Sequence, residues 1–134
     1  MYVQNELKHG IKIFRFEGRL CSEVDEYPGF YVTMDGEAYI CPWTDKAGRY
    51  HEGVWTKNES LSREGIGITM HRLMALAFIH NPDPEHKTVV DHINRDHHDN
   101  RVENLRWVTI KENNRNTSQT ERVWEREGEH SWWR

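Results

Sequence analysis

Val89-Val90-Asp91-His92-Ile93-Asn94 runs into a polar loop, re-emerges as Glu103-Asn104-Leu105-Arg106-Trp107-Val108-Thr109 and continues as Lys111-Glu112-Asn113-Asn114-Arg115-Asn116. Thr88-Val89-Val90 and Arg106-Trp107-Val108 are short β-prone runs, and the residues from Asn94 to Asn104 form a polar connection between them. Thr109 and Glu112 match the Thr-x-x-Glu capping box, in which each side chain satisfies the other's orphan backbone amide and fixes a helix start. The segment is therefore expected to fold as strand, loop, strand, helix.

That order brings Asp91, His92 and the first turn of the helix, where Asn113 lies, to one place. A carboxylate and an amide carbonyl are hard oxygen donors, suited to Mg²⁺ or Mn²⁺ more than to Zn²⁺. Two protein ligands leave coordination positions open for water and phosphate oxygens, as a catalytic metal requires. Imidazole titrates at about 6.5, so His92 is the natural general base. Adjacent residues on a regular strand point to opposite faces, so Asp91 and His92 share a site only if the strand ends or twists there. The Asn94-Arg95-Asp96 turn supplies that ending.

Upstream, Met70, Leu73, Met74, Ala77 and Phe78 fall at helical spacing, predicting a helix over Met70 to Ile79 with Thr69 as its N-cap. Asn81-Pro82-Asp83-Pro84 stops it, since proline lacks an amide hydrogen and restricts the residue before it. Further back, Phe30 to Met34 and Glu37 to Ile40 flank Asp35-Gly36, a hairpin signal expected to form a type I′ turn. Ile11, Ile13 and Phe14 predict another strand, as do 48–56 and 66–69, with a turn at 57–60.

Residues 89–116 resemble the HNH motif of the ββα-metal nucleases, in the form found in phage homing endonucleases. Ile68 to Phe78 and Asn81-Pro82 resemble the segment that usually precedes the motif. The resemblance implies an α+β fold: small antiparallel strands with a ββα-metal core and an extra helix preceding it. It implies a β-rich part over 1–66, a nuclease core with its preceding helix over 67–120 and a tail over 121–134. It also implies phosphodiester hydrolysis of DNA with one divalent metal, Mg²⁺ or Mn²⁺. Carried over position by position, Asp91 and Asn113 hold the metal, His92 activates water, and Asn104 braces the loop through backbone hydrogen bonds. Asn113 stands where the motif's last histidine would be.

Arg95, Arg101, Arg106, Arg115 and Asn116 are the candidate DNA contacts. His97 and His98 read first as solvated loop residues and His71 as a helix-start residue; all three are additional candidates for the site. Trp107 is expected to pack in the core. Trp132 and Trp133 are candidates for packing onto the sheet, for self-association into a homo-oligomer or for base stacking.

Composition bounds these expectations. The 134 residues suit one domain, and 36% hydrophobic against 30% charged, with mean hydropathy -0.94, predicts a small core under long loops. No run approaches the roughly 18 apolar residues of a membrane helix. The N-terminus lacks the apolar stretch of a signal peptide, so a cytoplasmic protein is expected, in the host cytoplasm if phage-encoded. Cys21 and Cys41 read as reduced, incidental thiols. The net charge of -4 is unusual for a DNA-binding chain, so phosphate affinity must come from local cations and fall steeply with salt. The alternative to a nuclease is a non-catalytic DNA-binding protein, or a phage accessory interaction protein, that keeps the ββα shape.

Overall fold

The structure is a computed structural model that describes residues 6–115. Asn116, Trp132 and Trp133 lie outside the described residues.

Antiparallel strands with few helices make up the fold. A five-stranded sheet has the order β1 (Phe14–Phe16), β2 (Arg19–Glu23), β3 (Phe30–Val32), β4 (Ala38–Ile40) and β7 (Val54–Thr56). β5 (Trp43–Thr44) pairs with β6 (Tyr50–His51), and β8 (Ser60–Arg63) with β9 (Ile66–Thr69). Helix α1 (Met70–Phe78) follows, then β10 (Val89–His92), a single 3-10 turn at Val102–Asn104, β11 (Leu105–Val108) and α2 (Ile110–Arg115).

One face of the large sheet and one face of α1 build a shared core. Met70, Leu73, Met74, Ala77 and Phe78 are all buried, as their spacing predicts, and Ala75 is buried with them. They pack with Phe30, Val32 and Ala38 from the sheet, with Val24 just after β2, and with Val90, Leu105 and Trp107 from the β10–β11 hairpin. Trp107 is thus a core residue, and its indole Nε1 donates to the Ile79 carbonyl at 3.2 Å. The other face of the sheet carries an aromatic row in which Phe16, Tyr31, Tyr39 and Trp55 contact one another. Thr69 occupies the N-cap of α1 without a side-chain cap bond; the Met70 amide instead donates to the Glu59 carbonyl at 2.7 Å. Both cysteines are free thiols.

The turn at Asp35-Gly36 differs from the expected type I′. Thr33 and Glu37 still pair, the Gly36 amide donates to the Thr33 carbonyl at 3.2 Å, and of the two residues only Gly36 has positive φ, +91°. The loop is therefore the three-residue kind, a turn closed by a glycine bulge, in which aspartate keeps ordinary geometry. Two-residue turns with positive φ at both positions occur instead at Glu17-Gly18 and Glu64-Gly65. The strand expected from Ile11 begins at Phe14, and the stretch 48–56 divides between β6 and β7.

Candidate active site

β10 and β11 pair with Val90 opposite Trp107, Asp91 opposite Arg106 and His92 opposite Leu105. Strand alternation sends Val90 and His92 to the face that meets α1, and Asp91 to the other. His92 is the last paired residue of β10; the chain turns immediately, with the Arg95 amide donating to the His92 carbonyl at 2.9 Å and Arg95 itself at φ +66°. The strand thus ends after His92 and not before it, so the pairing itself leaves Asp91 and His92 on opposite faces of the hairpin.

His92 is buried, and its Nε2 lies 2.7 Å from Oδ1 of buried Asn100. An amide oxygen only accepts, so the imidazole donates from Nε2 to Asn100. The ring also packs against His71, at 4.9 Å between centroids, and against His97, at 5.4 Å. His71, His92 and His97 are thus brought together. His98 is not: its Nδ1 lies 3.5 Å from Glu59, just before β8.

Burial first, and then the neighbouring His92, His97 and Arg72, push His71 down to about 4, so it is neutral at physiological pH. The unfolded chain takes up this proton near the ordinary histidine value, about 6.5, and the folded chain only near pH 4. Protons therefore favour unfolding between those values, with a slope of at most about 1.4 kcal/mol per pH unit from one group. Stability measured by urea unfolding is expected to fall from pH 6.5 to 4 in the parent and to fall less in His71→Gln. Equal slopes in the two proteins would show that His71 is not the group responsible.

Asp91 is buried and faces Arg106, whose Nε and Nη2 both lie 3.0 Å from Oδ2. Arg106, a candidate phosphate contact, is in this structure a partner of the candidate metal ligand. Arg101 is similarly engaged: Nε and Nη2 each lie 2.8 Å from the Asp99 carboxylate, and Nη1 lies 3.2 Å from Glu103. Those bonds pull Asp99 down to about 2 and push Arg101 above its usual range. Arg95 is exposed and makes no ion pair with a described residue.

Asn104 closes the loop on itself. Its Oδ1 accepts from the Asn94 amide at 3.0 Å, and its Nδ2 donates to Asn94 Oδ1 at 3.0 Å and to the Asp99 carbonyl at 2.9 Å. The Ile93 amide donates to the Asn104 carbonyl at 2.8 Å. Asn113 sits half-buried on α2, one turn past Thr109 and directly after a reciprocal capping box: Thr109 N to Glu112 Oε1 at 2.9 Å, Glu112 N to Thr109 Oγ1 at 3.1 Å. α2 packs on both β10 and β11, and Arg115 closes it. Among the described residues, no three His, Cys, Asp or Glu side chains form a metal-binding group.

Two further parts of the site lie outside the expected set. Asn100 is one, since in sequence it is a polar residue in a polar loop. The other is the β3–β4 turn: the Val102 amide donates to the Met34 carbonyl at 2.9 Å, and Gly36 lies against the backbone of Asn100 and Arg101. The N-terminal sheet thus supports the loop that holds His92.

Part of the chain is similar to known proteins. Residues 69–115 match the family model described as HNH endonuclease. An uncharacterized HNH endonuclease of Acanthamoeba polyphaga mimivirus is 64% identical over 44 residues, which is 33% of this chain and 11% of that protein. A second from the same virus is 30% identical over 91 residues, 63% of this chain and 26% of that protein. The chain therefore matches only a minor part of the length of either curated relative. A solved structure of DNA binding and cleavage by the HNH homing endonuclease I-HmuI aligns with a TM-score of 0.49 and 26% identity, over 77% of this chain and 59% of that one. Through residues 69–115, the chain is similar to the HNH endonuclease family.

Proposed function

We propose that this protein is a metal-dependent DNA endonuclease that hydrolyses phosphodiester bonds, with a ββα-metal core made of β10, β11 and α2. The observation that carries this reading is the fixed imidazole of His92. Asn100 holds its Nε2 proton, and the flanking histidine rings hold its plane. A base so oriented takes a proton from water at Nδ1 without first being immobilised. His92 is then the general base, Asn100 its positioning residue, and Asn104 the brace of the loop between them.

Asp91 and Asn113 would hold the metal. The donor set fits Mg²⁺ or Mn²⁺: one buried carboxylate and one amide oxygen, on a strand and a helix that pack together. When bound, the metal supplies charge stabilisation at the phosphate oxygens. Arg106 already compensates part of the Asp91 charge, so metal affinity in the absence of DNA should be weak. Arg95, exposed on the site loop, would contact a phosphate.

Supercoiled plasmid should be nicked or linearised with Mg²⁺ or Mn²⁺, and EDTA should abolish this. Asp91→Ala should remove metal binding by calorimetry together with activity, since it deletes the only charged ligand. A purified, folded protein that leaves plasmid intact with either metal would overturn the proposal. One observation favours the second reading, a DNA-binding module without catalysis: Arg106 Nε and Nη2 both lie 3.0 Å from Asp91 Oδ2, an ion pair that gives this carboxylate a structural role. In that case Asp91→Ala would change stability and leave DNA binding insensitive to metal.

A further inference from the structure

The DNA-nuclease reading leaves a charge problem. The chain carries a net charge of -4, and two of the arginines available for phosphate, Arg101 and Arg106, already face carboxylates. Beyond Arg95, further cations without a carboxylate partner among the described residues lie elsewhere. A cavity of about 380 Å³ lies between α1, the chain from Ile79 to Thr88, and β11. Lys8, Arg72 and Lys87 line it together with His80, and among the described residues no aspartate or glutamate does.

The partners of these cations matter. Lys8 Nζ donates to the Leu76 carbonyl at 2.9 Å, and Arg72 Nη1 donates to the Thr88 carbonyl at 2.8 Å. A carbonyl orients a cationic head but does not neutralise it, whereas the carboxylates around Arg101 and Arg106 do both. Arg72 is further held over the Trp107 ring, 5.4 Å from its centroid. Lys87 feels Glu112 electrostatically, but it makes no ion pair with a described residue. The groove is therefore a positively charged, partly preorganised surface on a protein that is negative overall.

We infer that this groove binds a phosphodiester of the DNA backbone through Lys8, Arg72 and Lys87. The inference rests on the nuclease reading for its choice of polyanion. Arg72 directly follows His71 on α1, and His71 packs on His92, so the groove and the site share helix α1. Ammonium and guanidinium groups contact phosphate oxygens without reading sequence, so the groove would contribute affinity and register and not base choice.

The test is a salt titration in EDTA, so that binding is read separately from cleavage. Affinity for a fluorescent duplex is measured by anisotropy from 50 to 200 mM salt, for the parent, Lys8→Gln, Lys87→Gln, the double variant and Lys46→Gln. Lys46 lies in the exposed β5–β6 turn, away from the groove. The slope of log affinity against log salt should fall by about 0.9 for each groove lysine removed. The double variant should lose the sum, and Lys46→Gln should keep the parental slope. Circular dichroism confirms that each variant is folded. A parental slope in the double variant, or an equal loss in Lys46→Gln, would overturn the site. So would saturation of the groove by inorganic phosphate with no effect of the lysines on the DNA slope. A protein that never nicks plasmid but shows the slope changes would lose the nuclease reading and keep the groove.

Discussion

His92→Ala is expected to lower the nicking rate by about 10²–10⁴, the range typical of a lost general base. Metal binding and DNA affinity should stay near parental values, because the imidazole is assigned to water and not to the metal. Asn100 allows a finer test. Asn100→Ala removes the acceptor 2.7 Å from His92 Nε2 and frees the ring to change tautomer. Asn100→Asp keeps an oxygen in that place. If Asn100 only fills space, both variants should cut alike. If it positions His92, kcat should fall in Asn100→Ala with KM little changed, and Asn100→Asp should recover much of the loss. Nitrogen-15 NMR of the histidine ring gives an activity-independent reading: the proton should sit on Nε2 in the parent and divide between the nitrogens in Asn100→Ala. Parental cutting by His92→Ala would remove the base assignment, and His71 and His97, which share its ring cluster, would become the residues to test.

The segment around this site was readable because several local signals agree there. The capping box at Thr109 and Glu112 forms as its residue types dictate, with both bonds present. The apolar spacing of α1 selects the buried face because only one face of a nine-residue helix can meet the sheet. Turn chemistry was less readable. Asp-Gly is the familiar two-residue turn signal, yet the two-residue turns fall at Glu17-Gly18 and Glu64-Gly65, where glutamate takes the left-handed conformation it does not favour. Strand pairing imposes that cost; propensity does not reveal it. The ion pairs were hidden for a similar reason. Arg106 meets Asp91 because the two are directly opposed across β10 and β11, a relation of register that appears only once the hairpin is aligned. Asn100 carried no signal at all. A buried amide in a loop of Asn, Asp and His is identified by what surrounds it, not by its type.

Gly36→Ala should disturb the site from the other half of the chain. Gly36 has φ +91°, and a Cβ there would lie 3.0 Å from the Asn100 carbonyl carbon, 3.1 Å from its oxygen and 3.3 Å from the Arg101 nitrogen. These are backbone atoms, so no side-chain rotation relieves the contact. Gly18 is the matched control: its φ is +79°, and a Cβ there would meet nothing within 4 Å. Each alanine places a side chain in a disfavoured backbone region, at about 1–3 kcal/mol. Only Gly36→Ala also pushes on the segment that presents Asn100 to His92. Both variants should therefore melt below the parent, Gly36→Ala the lower of the two. At a temperature where all three proteins are folded, Gly18→Ala should nick at close to the parental rate. Gly36→Ala should be slower, because displacing Asn100 releases the His92 ring from its hydrogen bond. If the two alanine variants cut equally fast, the β3–β4 turn supports the fold alone. The dependence of the catalytic loop on the N-terminal sheet would then be discarded.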